Sequence, residues 1–131
     1  MFEFSKTWIR KDGTIRPLSD KSKCLYHKMN GFTENEKIYM SDCFDHSRYR
    51  WVYNETSGMV MNENRHTTTP HCWTIPNVEV TEAKQQMYLS PCSIDRVDQR
   101  FDAVDGMARV RSNLNVCIMK CNSIYSGAIN V

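Results

Sequence analysis

Residues 50–61 read RWVYNETSGMVM, and this stretch decides the fold because its pattern occurs three times. An aromatic residue is followed by a short turn that contains glycine, and an apolar residue stands two places after the glycine. The same pattern occurs in residues 7–17 (TWIRKDGTIRP) and 100–110 (RFDAVDGMARV). Such internal repetition predicts a fold in which each unit contributes the same part of a shared core.

Two further features follow each glycine in the same order, a triplet centred on cysteine and a segment that contains tyrosine. The triplets are KCL (23–25), HCW (71–73) and VCI (116–118), and the tyrosine segments are IYMS (38–41), MYLS (87–90) and IYS (124–126). We therefore expect a single domain over residues 1–131, with repeats at about 8–50, 51–100 and 101–131. The third repeat is shorter, and no closing cysteine stands at its expected place.

Local signals favour strands. In RYRWVY (48–53) the aromatic side chains alternate, which places them on one face of a strand. Residue pairs typical of hairpin turns lie inside the repeated stretches, namely Asp12-Gly13, Ser57-Gly58 and Asp105-Gly106. With about four short strands in each repeat, the sequence predicts an all-β fold, a twelve-stranded β-trefoil in three pseudo-symmetric repeats, which closes a barrel with three hairpins.

The recurring apolar residues should form the core. Those that we expect to point inward are Ile15, Val60 and Ala108, which follow the glycines, and Leu25, Trp73 and Ile118, which follow the cysteines. The aromatic residues that open the repeats should stack near the pseudo-threefold axis, and these are Trp8, Trp51 and Phe101. Stacking on carbohydrate is the other use of such aromatics, but their equivalent positions in every repeat favour the core.

The charge and hydropathy of the chain exclude some classes of protein. Its 131 residues include 17 basic and 15 acidic residues, which gives a net charge of +2. This balance does not suggest the basic face of a protein that binds nucleic acid. No apolar run approaches the roughly 20 residues that cross a bilayer, so we expect no transmembrane segment.

The six cysteines indicate the redox compartment. Short C-x-x-C pairs, which zinc sites use, are absent from the sequence, so we expect no bound metal. The spacings of Cys24 to Cys43 and of Cys72 to Cys92 suit two disulfide loops, each adding roughly 3 kcal/mol. Disulfides favour a secreted protein, and six buried thiols in a cytosolic protein are the alternative. The two cysteines of CIMKC (117–121) fit either a small disulfide ring or free thiols.

Several of these segments resemble the ricin-type β-trefoil lectin domain over residues 7–131. The best matches are KCL and HCW with the cysteines that follow them, and Asp98-Gln99-Arg100-Phe101, a Q-x-F variant of the family's Q-x-W strand. Within this family the chain most resembles the C-terminal lectin domain of Vibrio pore-forming haemolysins. The resemblance implies a secreted module that targets a pore-forming toxin, as an oligomer, to cell-surface glycans of the galactose or N-acetylgalactosamine type.

The resemblance also indicates sugar-binding residues, although the family's usual pocket is not preserved. At the family's carboxylate position, two residues after the first cysteine, this chain has Tyr26, Thr74 and Met119; at its aromatic position it has Ser41 and Ser90. The substitutes that we expect to bind sugar are Tyr39, Asp45, His46 and Arg48 in the first repeat, and Tyr88, Asp95, Asp98 and Gln99 in the second. Asp98 and Gln99 alone match the family's motif. The alternative roles are structural tyrosines and aspartates that cap their own turns.

No catalytic motif or phosphate-binding loop is found, so we expect a protein that is not an enzyme and uses no cofactor. Two other functions are kept as alternatives to glycan recognition. One is a structural or protein-interaction trefoil whose sugar pocket has decayed. The other is the carbohydrate-binding module of a glycosidase.

Overall fold

The computed structural model describes residues 9–17, 20–28, 36–63, 70–79, 84–104, 107–118 and 127–130. Within these residues the chain forms twelve strands and two single-turn 3₁₀ helices, and no α-helix. The strands are β1 (Lys23–Tyr26), β2 (Glu36–Lys37), β3 (Tyr39–Asp42), β4 (Trp51–Asn54), β5 (Met59–Asn62), β6 (His71–Thr74), β7 (Lys84–Gln86), β8 (Tyr88–Pro91), β9 (Phe101–Val104), β10 (Met107–Val110), β11 (Asn113–Ile118) and β12 (Gly127–Asn130). The 3₁₀ turns are Ser47–Tyr49 and Val97–Gln99. The predicted all-β class is confirmed.

The described strands form two five-stranded sheets and one two-stranded sheet. One large sheet has the order β2-β8-β6-β5-β4, the other has the order β7-β12-β11-β10-β9, and β1 pairs with β3. Most pairs are antiparallel, including the hairpin β4–β5, in which Tyr53 lies opposite Val60. The third repeat differs, because β12 runs parallel to both β11 and β7.

The repeats do not share the described strands equally. Residues 8–50 contribute three strands, 51–100 contribute five and 101–131 contribute four, where four in each had been expected. Two of the strands, β2 and β7, are short additions that precede the tyrosine segments. In the first repeat, residues 14–17 form no strand. They are nevertheless joined to β1, because the Leu25 amide donates to the Ile15 carbonyl at 3.0 Å.

A glycine in each of the first two repeats binds the start of the next repeat. The carbonyl oxygen of Gly13 accepts a hydrogen bond from the amide of Trp51 at 2.8 Å, and that of Gly58 accepts from the amide of Phe101 at 2.7 Å. Both glycines have positive φ, +86° and +78°, a backbone region that side chains with a Cβ rarely adopt. The turn therefore needs glycine to aim its carbonyl at the neighbouring repeat. Gly106 lies outside the described residues.

The predicted inward-pointing residues are buried. Ile15, Val60, Ala108, Leu25, Trp73 and Ile118 are at most 5% exposed, and Trp51 and Phe101 are 2% and 0% exposed. The centre of the core is a row of three rings. Trp73 lies edge-to-face between Trp51 and Phe101, with ring centroids 5.6 Å and 5.8 Å away. Trp8, which had been expected beside them, lies outside the described residues.

Both expected disulfides are present, between Cys24 and Cys43 and between Cys72 and Cys92. The first joins β1 to the chain that follows β3, and the second joins β6 to the chain that follows β8, closing loops with sequence separations of 19 and 20 residues. Cys117 is also disulfide-bonded, which excludes the alternative of a free thiol at that position. Its partner lies outside the described residues.

A buried polar cluster joins the first repeat to the second. His27 is fully buried; its Nε2 lies 2.9 Å from Asn62 Oδ1, and its Nδ1 lies 3.4 Å from Glu36 Oε1. The Asn62 amide nitrogen in turn donates to the carbonyl oxygens of Ser47 and Arg50. Burial lowers the pKa of the His27 imidazole below its ordinary value, although Asn62 and Glu36 act in the opposite direction. Arg48, nearby, lowers that pKa further.

The lowered pKa of His27 predicts a loss of stability in mild acid. Between the unfolded-state pKa of about 6.5 and the lower folded-state pKa, the unfolded chain binds a proton that the folded chain resists. The free energy of unfolding therefore falls as pH drops from about 6.5 towards the folded-state pKa, and the contribution of His27 levels off below it. Urea unfolding followed at decreasing pH should show this fall. His27→Gln should flatten it. An equal pH slope in His27→Gln would contradict the assignment.

The two connecting glycines should differ in their tolerance of alanine. At Gly13 a Cβ would lie 3.3 Å from the Cβ of Arg50, a tight contact that a small shift relieves, so the positive φ should account for most of the cost, about 1–2 kcal/mol. At Gly58 a Cβ would lie 3.0 Å from the backbone nitrogen of Phe101 and 2.9 Å from Cζ of Arg111. Gly58→Ala should therefore lower the free energy of unfolding more than Gly13→Ala in urea titrations. The reverse order would be inconsistent with this packing.

Candidate functional site

In the second repeat a charged pair lies on the 3₁₀ turn that precedes Phe101. Arg96 Nε donates to Asp98 Oδ1 at 2.9 Å, and Arg96 Nη2 donates to Asp98 Oδ2 at 2.8 Å. The third nitrogen, Nη1, donates to Ser90 Oγ on β8 at 2.9 Å. The hydrogen bond to Asp98 raises the pKa of the Arg96 guanidinium above its ordinary value. The Asp98 side chain is 25% exposed, so its carboxylate is held in a fixed orientation at the surface.

Of the other predicted residues in this repeat, Tyr88 lies close to the Arg96–Asp98 pair and Asp95 does not contribute to it. Tyr88, the first residue of β8, lies close enough to Arg96 to help raise the pKa of its guanidinium, so Tyr88 and Asp98 are neighbours of the same group. Asp95 is exposed in the loop before the 3₁₀ turn. The sequence reasoning missed Arg96. A usable signal was that it stands five residues before the aromatic residue, as His46 does in the first repeat.

Gln99 lies inside the fold, which does not fit the expectation that it contacts sugar. It is 0% exposed. Its Nε2 donates to Thr74 Oγ1 and to the Pro91 carbonyl, both at 3.0 Å, and its Oε1 accepts from the Ser93 amide at 2.9 Å. These bonds join β6, the end of β8 and the following loop. Gln99 therefore positions the turn that carries Asp98 and presents no surface of its own.

In the first repeat the equivalent turn carries His46 and Arg48. His46 Nδ1 caps the turn by accepting from the Arg48 amide at 3.1 Å, and Arg48 Nε also points to that nitrogen at 3.4 Å. Arg48 Nη1 donates to the carbonyl oxygen of Lys28, in the chain that follows β1. The two predicted residues are thus in contact with each other and are tied to the neighbouring loop.

A row of aromatic rings lies beside this turn. Tyr49 stacks on Tyr26 at 4.9 Å between centroids with planes 10° apart, and Tyr26 contacts Tyr39 at 6.0 Å. Phe44, 63% exposed, meets Tyr49 edge-to-face at 5.8 Å. At the other end Lys28 Nζ lies 4.3 Å from the centroid of Tyr39, a cation–π distance. Tyr39 is therefore brought near Arg48 through Lys28, and the exposed ring of Phe44 was missed by the sequence reasoning.

Asp45 is directed elsewhere. Its fully exposed carboxylate pairs with Arg50 Nη1 at 2.8 Å, and Arg50 also pairs with Glu63 at 3.2 Å. Arg50 packs beside Gly13, so Asp45 faces the junction between repeats. We therefore separate Asp45 from the group formed by Tyr39, His46 and Arg48.

Two kinds of feature, a metal-binding cluster and a membrane-spanning helix, are absent from the described residues. These residues hold no group of three or more His, Cys, Asp or Glu side chains that could bind a metal ion. Among them there is also no helix long and apolar enough to cross a membrane.

The sequence matches the model of the ricin-type β-trefoil lectin domain over residues 3–101. This range is more than half of the chain, so the chain belongs to that family, and the expected β-trefoil is confirmed as its fold class. The family is a non-catalytic, carbohydrate-binding class. The matched range ends at the first residue of the third repeat, whereas the resemblance had been expected to continue to residue 131. A search of curated proteins found no match.

The buried amide of Gln99 predicts a large stability difference between equivalent positions. Gln99→Met keeps the side-chain volume but leaves the Ser93 amide and the Pro91 carbonyl without their partner, which should lower the free energy of unfolding by about 2–3 kcal/mol. Tyr49→Phe, at the equivalent position in the first repeat, removes only a 3.3 Å contact with Ser41. It should cost less than about 1 kcal/mol in the same urea titration. Equal losses would refute the positioning role of Gln99.

Proposed function

We propose that the domain binds glycans of the galactose or N-acetylgalactosamine type through the second repeat, with Asp98 as the principal ligand. The observation that supports this most is the fixed carboxylate of Asp98. Both of its oxygens are oriented by one guanidinium at 2.8–2.9 Å, and the side chain stays 25% exposed. The family match supplies the carbohydrate-binding class, and the sugar type rests on the resemblance of the sequence.

The chemistry of a carboxylate suits two neighbouring hydroxyl groups. An ionised carboxylate has about four acceptor positions, and Arg96 uses two of them. The remaining positions can accept from adjacent hydroxyls of one sugar ring. Charge-assisted hydrogen bonds of this kind are roughly twice as strong as neutral ones. Tyr88 lies near the same guanidinium. In this proposal Arg96 positions Asp98, and Gln99 fixes the turn beneath it.

The wider role is proposed as glycan targeting by a secreted pore-forming toxin that acts as an oligomer on host membranes. The disulfides support the secreted part, because such bonds persist in oxidising compartments. The toxin and the oligomer are supported only by the resemblance of the sequence to the lectin domains of Vibrio haemolysins. Detection of secreted, oligomeric protein on galactose-bearing cells would test this part separately.

A second candidate is a structural or protein-binding trefoil. The observation that favours it is that two residues of the second repeat, at positions where the family has its sugar-binding side chains, are buried inside the fold. Thr74, at the family's carboxylate position, is 0% exposed, and Ser90, at its aromatic position, is 2% exposed. Neither side chain is available to a sugar. This candidate predicts a folded domain that binds no glycan at any density.

Glycan binding by Asp98 is tested with the purified chain on an array of galactose-terminated and N-acetylgalactosamine-terminated glycans. We expect binding that free galactose competes, a loss of about tenfold for Asp98→Asn, and no detectable binding for Asp98→Ala. Near-ultraviolet circular dichroism checks the fold of each variant.

The control for this experiment is Asp42→Ala, which removes another exposed carboxylate, one that pairs with Lys23 across β1 and β3. It should bind as the parent chain does. Unaltered binding by Asp98→Ala would contradict the site. An absence of all glycan binding would favour the structural candidate.

A further inference from the structure

The two 3₁₀ turns place opposite charges at equivalent positions. Arg48 and Asp98 each stand three residues before the aromatic residue of the next repeat, Trp51 or Phe101. Their backbones are held alike, since the carbonyl of Arg48 accepts from the amide at position 27 and that of Asp98 accepts from the amide at position 75. A guanidinium in the first repeat therefore occupies the place of a carboxylate in the second.

The cations of the first repeat keep donors for a ligand. Arg48 uses Nη1 and Nε within the protein, and a guanidinium has five N–H donors, so most of them stay available. Lys28 is exposed, and its Nζ lies over the face of Tyr39. In the part of the chain that the structure describes, neither Arg48 nor Lys28 has a carboxylate within ion-pair distance.

The nearby acids do not neutralise these cations. Asp45 pairs with Arg50 at 2.8 Å, and Asp42 pairs with Lys23 at 2.5 Å. Both carboxylates are thus directed at other basic groups. Among the described residues, no carboxylate pairs with the cations beside the tyrosine row, and positive charge of this kind attracts an anion and is screened by salt.

Phe44 adds an aromatic surface to this group. Its ring is 63% exposed, yet the edge-to-face contact with Tyr49 holds it, and Tyr49 is itself fixed by stacking on Tyr26. A large apolar ring held at the surface beside polar groups is suited to stacking on the apolar face of a sugar. The family's aromatic position has Ser41 instead, so Phe44 supplies the missing ring from the other side of Cys43.

We propose that the first-repeat surface, formed by Arg48, Lys28 and Phe44, binds acidic glycans and recognises the anionic group of the sugar. Arg48 and Lys28 take the carboxylate or sulfate, and Phe44, at the opposite end of the aromatic row from Lys28, stacks on a further ring of the same oligosaccharide. This inference rests on the proposed glycan-binding function, but it assigns a separate site with a different ligand class. In this proposal the domain binds neutral sugars through its second repeat and acidic sugars through its first.

The test compares three glycan series on one array, each with the same neutral chain and either no acid, a terminal sialic acid or a sulfate ester. We expect the acidic forms to bind through the first repeat and to be weakened by salt. Arg48→Gln should lower the affinity for acidic glycans about tenfold, and Lys28→Gln should lower it less. A preference for one acidic series over the other identifies the anionic group.

Matched controls separate this site from the second one. Ile94→Ala changes the residue that stands seven positions before its aromatic residue, as Phe44 does, and that is 65% exposed. Phe44→Ala should weaken acidic-glycan binding several-fold, whereas Ile94→Ala should not change it. Asp98→Ala should abolish neutral-glycan binding and leave acidic-glycan binding intact.

Each outcome decides between the two proposals. If neutral glycans bind and the acidic forms bind no better, with Arg48→Gln unchanged, the further inference is overturned and the proposed function stands. If acidic glycans bind and Asp98→Ala has no effect on any glycan, the second-repeat site fails and the first-repeat site stands. If no glycan of any series binds, both are overturned.

Discussion

The rest of this structure depends on the hydrogen bond that the amide of an aromatic residue donates to the glycine carbonyl of the preceding repeat. Gly13 and Gly58 each make it, at 2.8 Å and 2.7 Å, to Trp51 and Phe101. The bond fixes where the next repeat begins, and the aromatic side chain at that point enters the core beside Trp73. Because each 3₁₀ turn ends only two residues earlier, the same bond also fixes the turn that carries the candidate ligands.

The core could be predicted from the sequence because burial repeats. A position that must be apolar in one repeat must be apolar in the equivalent positions of the others. The recurrence of an apolar residue at Ile15, Val60 and Ala108 therefore predicts their burial without any knowledge of their contacts. The disulfides follow the same logic, since two cysteines at similar spacing recur after the same strand. The strand pairing of the third repeat was not predictable, because no repeated spacing specifies a parallel partner for β12.

The candidate site was predicted less well because its residues depend on partners that are distant in sequence. Gln99 matched the family's motif, but only the structure shows its amide bonded to Thr74 inside the fold. In the first repeat Tyr49 and Tyr26 stand at those two positions and stack at 4.9 Å. A hydrogen-bonded pair in one repeat thus corresponds to a stacked pair in the other, and sequence spacing alone does not reveal such coupling.

That coupling explains how one backbone can carry two different surfaces. The main-chain bonds at positions 48 and 98 are equivalent, so they set no requirement on the side chains. The residue beneath each turn does set such a requirement. The Thr74 hydroxyl accepts a hydrogen bond from the Gln99 amide, whereas the Tyr26 ring stacks on the ring of Tyr49. Exchanging a single member would leave a buried polar group without its partner or a ring without its stack. The side chains of Arg48 and Asp98 take no part in these buried contacts. Either charge is therefore compatible with the same turn.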